Sequence, residues 1–257
     1  MLLKFILCIN YLVMIFKNYH SLLLTAIIAG IMLSGTPISG FAQKAKPVYE
    51  IAVRMVKKGK KIDFVDQRSK FIKLLKKQEG VSNNREFQSF YALPQPDKRE
   101  VFIGLTRYNS LETVGNVSRK VMPRFMQFAQ TMDLKAYVFV MLIAGKKFKL
   151  NKLAAKKGQV LEVAIRRVKK GQNKAFQETR KAFVNYLSKQ KGVLGSWEFA
   201  VVGGKDRERL TVGMSVYKNK EVFMKIVKQV QSNPLAGKYF STFDPVALQY
   251  AVSTTND

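Results

Sequence analysis

E-I-A-V-R-M-V-K-K-G at residues 50–59 returns as E-V-A-I-R-R-V-K-K-G at residues 162–171, an offset of 112. At that offset Phe64 matches Phe176, Arg68 matches Arg180, Phe71 matches Phe183, Leu75 matches Leu187, and Glu86-Phe87 matches Glu198-Phe199. Residues 50–87 carry 17 identities in 38 positions, where residue frequencies alone predict about two. Agreement resumes at an offset of 109, pairing Gly104 with Gly213, Tyr108 with Tyr217 and Glu112 with Glu221. Three residues are missing from the second copy, where a loop with Gly203-Gly204 replaces Pro94-Gln95-Pro96. Length changes confined to Gly/Pro loops are what two copies of one fold show. The chain is a tandem repeat.

Within each copy the periodicity changes from two to 3.6 and back. Residues 49–56 alternate, with Tyr49, Ile51, Val53 and Met55 on one side and Glu50, Ala52, Arg54 and Val56 on the other. That is a strand. Phe64, Phe71, Leu75 and Gln78 follow helical spacing up to Gly80. Strands over 86–93 and 101–108, a helix over 111–132 broken or kinked at Pro123, and a strand over 134–143 complete the unit. The order is β-α-β-β-α-β, the ferredoxin-like arrangement, and the fold class is α+β. The second copy repeats it over 160–168, 174–191, 194–202, 210–217, 220–240 and 245–253. This divides the chain into repeat 1 at 43–144, a basic linker at 145–159 and repeat 2 at 160–257. The six lysines of the linker mark a solvated connection.

The first 42 residues differ in composition. They hold two lysines, no acid and an apolar run over 22–33, short of the roughly 20 residues that span a bilayer. Lys17 precedes that run, and Gly40 and Ala42 occupy −3 and −1 of a cut after Ala42. This is the layout of a signal peptide for export to the periplasm, with Met14 as an alternative start and an uncleaved anchor as the alternative reading. The only histidine, His20, and the only cysteine, Cys8, lie in this leader. Its removal leaves no thiol for a disulfide framework and no membrane span. It also leaves 43 basic against 17 acidic residues, a net charge of +26, which attracts polyanions in a salt-dependent way.

Tyr217, followed by K-N-K-E-V-F-M-K-I-V-K-Q-V-Q-S-N-P-L-A-G-K-Y-F-S-T-F at 218–243, resembles a segment of the antibiotic biosynthesis monooxygenase family. There a strand aromatic precedes an acidic-led helix, a small-polar/Pro break and an aromatic end. Tyr217 and Tyr108 stand where the family often has tryptophan. The resemblance implies the dimeric α/β barrel, two ferredoxin-like units with their sheets together, here as a pseudo-dimer within one monomer or as a homodimer. It also implies cofactor-independent oxygenation of a small phenol or quinol, with no cofactor and no metal. A haem-degrading branch of the family uses a helical histidine, which the mature chain lacks.

If helices cover the apolar side of each first strand, Ile51, Val53, Met55, Val163 and Ile165 face them. Glu50, Arg54, Glu162 and Arg166 then face the space between the sheets, and Glu86 and Glu198 join them. Buried charges must pair or meet a ligand. An internal ion pair fixing the register between sheets is the commoner outcome, and a site is the sharper one. On the site reading Glu162 or Glu198 is the base and Arg166 holds the substrate anion. Glu50, Arg54, Glu86, Trp197 and Tyr217 contact ligand, Arg68 and Arg180 snorkel past the sheet edge, and only one of Gln249 and Tyr250 looks into the barrel. Without His or Cys the mature chain has no Ser-His-Asp triad, thiol nucleophile or standard zinc site. Gly203-Gly204 lacks the spacing of a phosphate loop. The alternatives to an oxygenase are a non-catalytic module for a small aromatic or anionic ligand, and polyanion binding by the basic surface. The aromatic pattern of RNA-binding strands is missing, which speaks against nucleic acid.

Overall fold

The computed structural model describes residues 46–93, 98–145, 147–203 and 207–254. The expected leader at 1–42 with its expected cleavage site, and Gly204, lie outside the described residues. The first copy comprises β1 (Val48–Val56), α1 (Lys61–Lys76), β2 (Val81–Leu93), β3 (Val101–Tyr108), α2 (Leu111–Ala129) and β4 (Met132–Ala144). The second comprises β5 (Val160–Val168), α3 (Asn173–Ser188), β6 (Val193–Gly203), β7 (Leu210–Tyr217), α4 (Lys220–Gln231), α5 (Pro234–Phe240) and β8 (Phe243–Ser253).

Local chemistry sets the helix ends. Ser110 Oγ accepts the Thr113 N–H at the start of α2, and Asn219 Oδ1 accepts the Val222 N–H at the start of α4. Each satisfies a backbone donor that the first helical turn leaves unpaired. Helix α2 runs through Pro123 without a break. The span 220–240 is instead two helices, divided where Asn233 Oδ1 accepts the Leu235 N–H and Pro234 takes the first position of α5. A missing N–H costs nothing there.

Eight antiparallel strands close into a barrel in the order β1-β3-β2-β8-β5-β7-β6-β4. Each ferredoxin-like sheet has two edges, and the copies use β2 against β8 and β4 against β6 to satisfy them. Closure removes the unpaired edges that an open sheet exposes. Both halves of the dimeric α/β barrel therefore come from one chain.

The barrel interior overturns the facing expected for the first strands. Ile51, Val53, Met55, Val163 and Ile165 point inward and pack with Phe87, Phe199, Val212 and Met214 in one core. Glu50, Arg54, Glu162 and Arg166, at alternate positions, face the helices. The reason is capacity: an eight-stranded barrel is just wide enough for side chains to fill, and apolar side chains fill most of it, with Arg85 admitted where the Asn151 carbonyl and Ser253 Oγ accept its hydrogen bonds. The layer under the helices supplies arginine and tyrosine partners. Gln249 has the parity of Ala247 and Ala251 and turns into the barrel with them, while Tyr250 faces the helices.

The linker is only partly solvated. Lys147, Lys149, Lys152, Lys156 and Lys157 are exposed, but Leu150, Leu153 and Ala154 are buried in the barrel core. Phe148 sits edge-on to Tyr49, Trp197 and Phe199 at 4.9, 5.4 and 5.1 Å. The connection that joins the copies thus contributes apolar side chains to the core both copies share.

Candidate active site between the sheet and the helices

The same five side chains form a polar cluster in each copy. In the first, Arg54 lies 3.3 Å from Glu86, whose Oε2 is 2.6 Å from Arg68 Nε on α1. In the second, Arg166 lies 2.7 Å from Glu198, which also meets Arg180 of α3 at 3.5 Å. Arg68 and Arg180 therefore do not snorkel past the sheet edge; they complete the ion clusters from the helices. The Arg54 guanidinium stacks over Phe128 at 5.4 Å, and that of Arg166 over Phe176 at 5.5 Å. Tyr239, on α5, also hydrogen-bonds Arg166. Beside each ion cluster, Tyr108 donates to Glu50 at 2.6 Å and Tyr217 to Glu162 at 2.5 Å.

Gly104 and Gly213 make these clusters possible. A Cβ at Gly104 would stand 1.3 Å from Arg54 Nη2, and one at Gly213 would stand 2.9 Å from Arg166 Nη2. The guanidinium occupies the space a side chain would need.

Cross-strand register then separates the copies. Residues directly opposite in a sheet point the same way, so each glutamate belongs to a row on the helix-facing side. The first row is Asn84, Thr106, Glu50, Phe139 and Gly203, on β2, β3, β1, β4 and β6. The second is Ser196, Ser215, Glu162, Tyr250 and Tyr91, on β6, β7, β5, β8 and β2. Smaller hydroxyls replace Asn84 and Thr106, a phenol replaces Phe139, and the last member of each row belongs to the other copy. The first row is closed: Glu50 is 7% exposed and Phe139 1%. In the second, Glu162 and Tyr250 are half-buried.

Burial pushes the carboxyls of Glu50 and Glu162 above the usual carboxylate range; the hydrogen bonds from Tyr108 and Tyr217, and then Arg54 and Arg166, pull against it. Burial and the neighbouring carboxylate hold Tyr108, Tyr217 and Tyr250 well above the ordinary phenol value. Burial also lifts Tyr239, to about 12, against the pull of Arg166. These phenols stay protonated at neutral pH; Tyr108 and Tyr217 donate to their glutamates, and the Tyr239 oxygen accepts from Arg166. A carboxyl raised on folding binds its proton more tightly in the folded state. Its stabilising contribution is complete below the unfolded value, about pH 4.3, and is lost as pH rises through the folded value. Glu50→Gln lacks that loss, so its melting temperature relative to the parent should climb as pH rises from about 4 into the neutral range. A difference that stays flat with pH in thermal melts would show that Glu50 is not held in this way.

The expected site residues therefore separate. Glu50, Arg54 and Glu86 lie under the helices of the first copy, and Glu162, Arg166, Glu198 and Tyr217 under those of the second. Trp197 is on the opposite face of β6 from Glu198, inside the barrel against Phe148. Arg166 donates from its two terminal nitrogens to Glu198 and Tyr239, while its buried Nε has no hydrogen-bond partner. Glu198 is buried between the guanidinium groups of Arg166 and Arg180. Ser196, Ser215, Tyr239 and Tyr91 were not identifiable as neighbours from the sequence. Among the described residues no cluster of three or more His, Cys, Asp or Glu could hold a metal ion, and no helix is long and apolar enough to cross a membrane.

No family model and no curated protein matches the sequence. Solved structures do match the fold. One is a candidate monooxygenase from Fusobacterium nucleatum subsp. nucleatum, with TM-score 0.58 and 13% identity, covering 83% of this chain and 94% of that one. Another is an anthrone oxidase-like protein, with TM-score 0.57 and 10% identity, covering 83% of this chain and 95% of that one. At such identity the likeness establishes architecture: this chain has the dimeric α/β barrel fold, with both halves in one polypeptide.

Proposed function

We propose that the second copy carries the working site of a cofactor-independent monooxygenase for a small phenol or quinol, with Glu162 as the base. The observation that carries this reading is the contrast between the two glutamates. Glu50 is buried beside Phe139; Glu162 is half-buried among Tyr217, Tyr250 and Ser215. A carboxylate with a raised pKa is a better base at neutral pH than a solvated one. Glu162 takes the phenolic proton, and Tyr217 and Tyr250 supply hydrogen bonds that steady the charge as it moves. The electron-rich phenolate reacts with O2 at a ring carbon bearing hydrogen, forming a C–O bond to a hydroperoxide. Glu162 returns the proton as the O–O bond breaks. The ring hydrogen and the phenolic hydrogen leave with one oxygen atom as water, and the other oxygen becomes the new carbonyl. No external reductant is needed. Two proteins of the same fold are described as a candidate monooxygenase and as anthrone oxidase-like, which directs the choice of compounds to assay.

The test is oxygen uptake with a panel of phenols and quinols, using 18O2 to follow one labelled atom into product and one into water. A second reading, ligand binding without chemistry, draws on the ion pairs that hold Glu198 to both Arg166 and Arg180. It would show as aromatic binding with no oxygen uptake for any member of the panel. We take residues 1–42 as the export signal, which puts the reaction in the periplasm. Intact mass of the secreted protein should correspond to a chain beginning at Gln43, and a mass including the leader would refute this.

A further inference from the structure

The basic residues of this protein are unevenly neutralised. On α1, Lys60, Lys61 and Lys70 hold Asp63, Glu100 and Asp66, each at 2.8 Å. The segment 145–159 that joins the copies holds six lysines, no arginine and no carboxylate. Lys147, Lys149, Lys152, Lys156 and Lys157 are exposed, and the ion pairs among the described residues include none of them.

That segment is fixed in place. It leaves β4 and enters β5, which β7 and β6 separate on one side of the barrel and four strands separate on the other, and it meets β2 and β3 on the way. It therefore crosses one end of the barrel. Leu150, Leu153 and Ala154 anchor it in the core, and the Asn151 carbonyl accepts a hydrogen bond from Arg85 within. With the apolar side chains turned inward, the lysines between them stand outward as an array.

Strand direction gathers more charge at the same end. β1, β2, β5 and β6 begin there and β3, β4, β7 and β8 finish there, as antiparallel pairs such as Val48 with Tyr108 and Val160 with Tyr217 require. Helices α1 and α3 finish there too, with Lys76, Lys77, Lys189 and Lys191 exposed at or just past their last turns. The exposed carboxylates of this end, Glu79, Glu112 and Glu221, belong to the helix ends around it. Leu111 at the start of α2, Ile143 near the end of β4 and Leu194 near the start of β6 are 46%, 55% and 52% exposed.

We propose that this end of the barrel docks on an anionic lipid surface, with the lysines of 145–159 over the phosphate headgroups and Leu111, Ile143 and Leu194 entering the headgroup boundary. Lysine near such a surface acts through charge alone, its ammonium being a compact, hydrated point charge. The planar fork that arginine offers to nucleic acid is missing from the segment. Exposed apolar side chains strengthen binding to a bilayer and bring no comparable gain with a soluble polyanion. The docking does not depend on the chemistry assigned to Glu162.

Co-sedimentation of the secreted protein with mixed phosphatidylglycerol–phosphatidylcholine vesicles and with phosphatidylcholine vesicles, at about 0.15 M salt, tests the proposal. The anionic vesicles should be bound at least about tenfold more tightly. Each lysine near the surface contributes about fivefold, so the triple variant Lys149→Gln, Lys152→Gln, Lys156→Gln should lose about a hundredfold. The triple variant Lys58→Gln, Lys170→Gln, Lys174→Gln removes the same charge from exposed positions at the opposite end. It should stay within about threefold of the parent, since charges beyond about 8 Å are screened. Leu194→Ser should weaken vesicle binding severalfold. Equal losses in the two triple variants, or no preference for anionic vesicles, overturns the docking end. Vesicle binding that Leu194→Ser leaves unchanged, with duplex DNA bound as tightly, overturns lipid as the partner in favour of polyanions in general.

Discussion

Glu162→Gln should lower the rate of oxygen uptake with an accepted phenol by about 10²- to 10⁴-fold, the usual contribution of a positioned general base. Glutamine keeps the shape and can still accept from Tyr217, so the fold and most of the binding should survive. The loss should therefore appear in kcat with little change in KM. In the parent protein kcat/KM should rise with pH through a value above the ordinary carboxylate range, because Glu162 must be ionised to act and burial holds its proton more tightly. Glu162→Gln should lose that limb of the profile. Glu50→Gln, beneath the closed row of the first copy, should leave uptake unaltered. Uptake undiminished in Glu162→Gln, or lost equally in Glu50→Gln, would remove the assignment of the base to the second copy.

The second large effect is on stability. Gly104→Ala puts a methyl 1.3 Å from Arg54 Nη2, an overlap that only displacement of the guanidinium can relieve. Glu86 then loses one of its two cationic partners in a layer where it is 1% exposed. Breaking a buried pair in this way costs about 3–5 kcal/mol. Gly213→Ala is milder. Its methyl would stand 2.9 Å from Arg166 Nη2 and 3.1 Å from Glu198 Oε1, distances that a small shift relieves, at about 1–3 kcal/mol. Urea unfolding of the two variants should show this inequality. Equal losses, or a loss below about 1 kcal/mol for Gly104→Ala, would mean that the arginines are not locked against the strand backbone.

Much of the candidate site was legible as composition. The repeated Glu-x-x-x-Arg, the second glutamate of each copy and the helical arginines were all identities at one offset, and all fall within the two clusters. Their facing was not legible. Every residue of β1 is buried, on both sides, so alternation separates two faces without saying which one looks into a barrel. The covered apolar face of an open sheet is the natural inference, and in this closed barrel the apolar face is the inner one. Trp197, one residue from Glu198 and on the other side of the strand, does face the barrel interior, so the charged residues and not the tryptophan are the ones whose facing was inverted.

The sequence by itself determined that the chain holds two copies of a β-α-β-β-α-β unit, that each carries one set of acid and arginine residues, and that residues 43–257 hold neither histidine nor cysteine for the commoner chemistries. These follow from period, offset and residue identity, which are local properties of the chain. Tertiary structure decided the rest. Joining β2 to β8 and β4 to β6 put the charged residues beneath the helices. It set Phe139 and Gly203 over one glutamate, and Tyr250 and Tyr91 beside the other. Those neighbours are more than a hundred residues from Tyr91 and some sixty from Gly203. Cross-strand pairing is a non-local choice of register, and side chains alternate faces at every step along a strand. Which glutamate is buried and which half-buried therefore depends on contacts that no single stretch of the chain encodes.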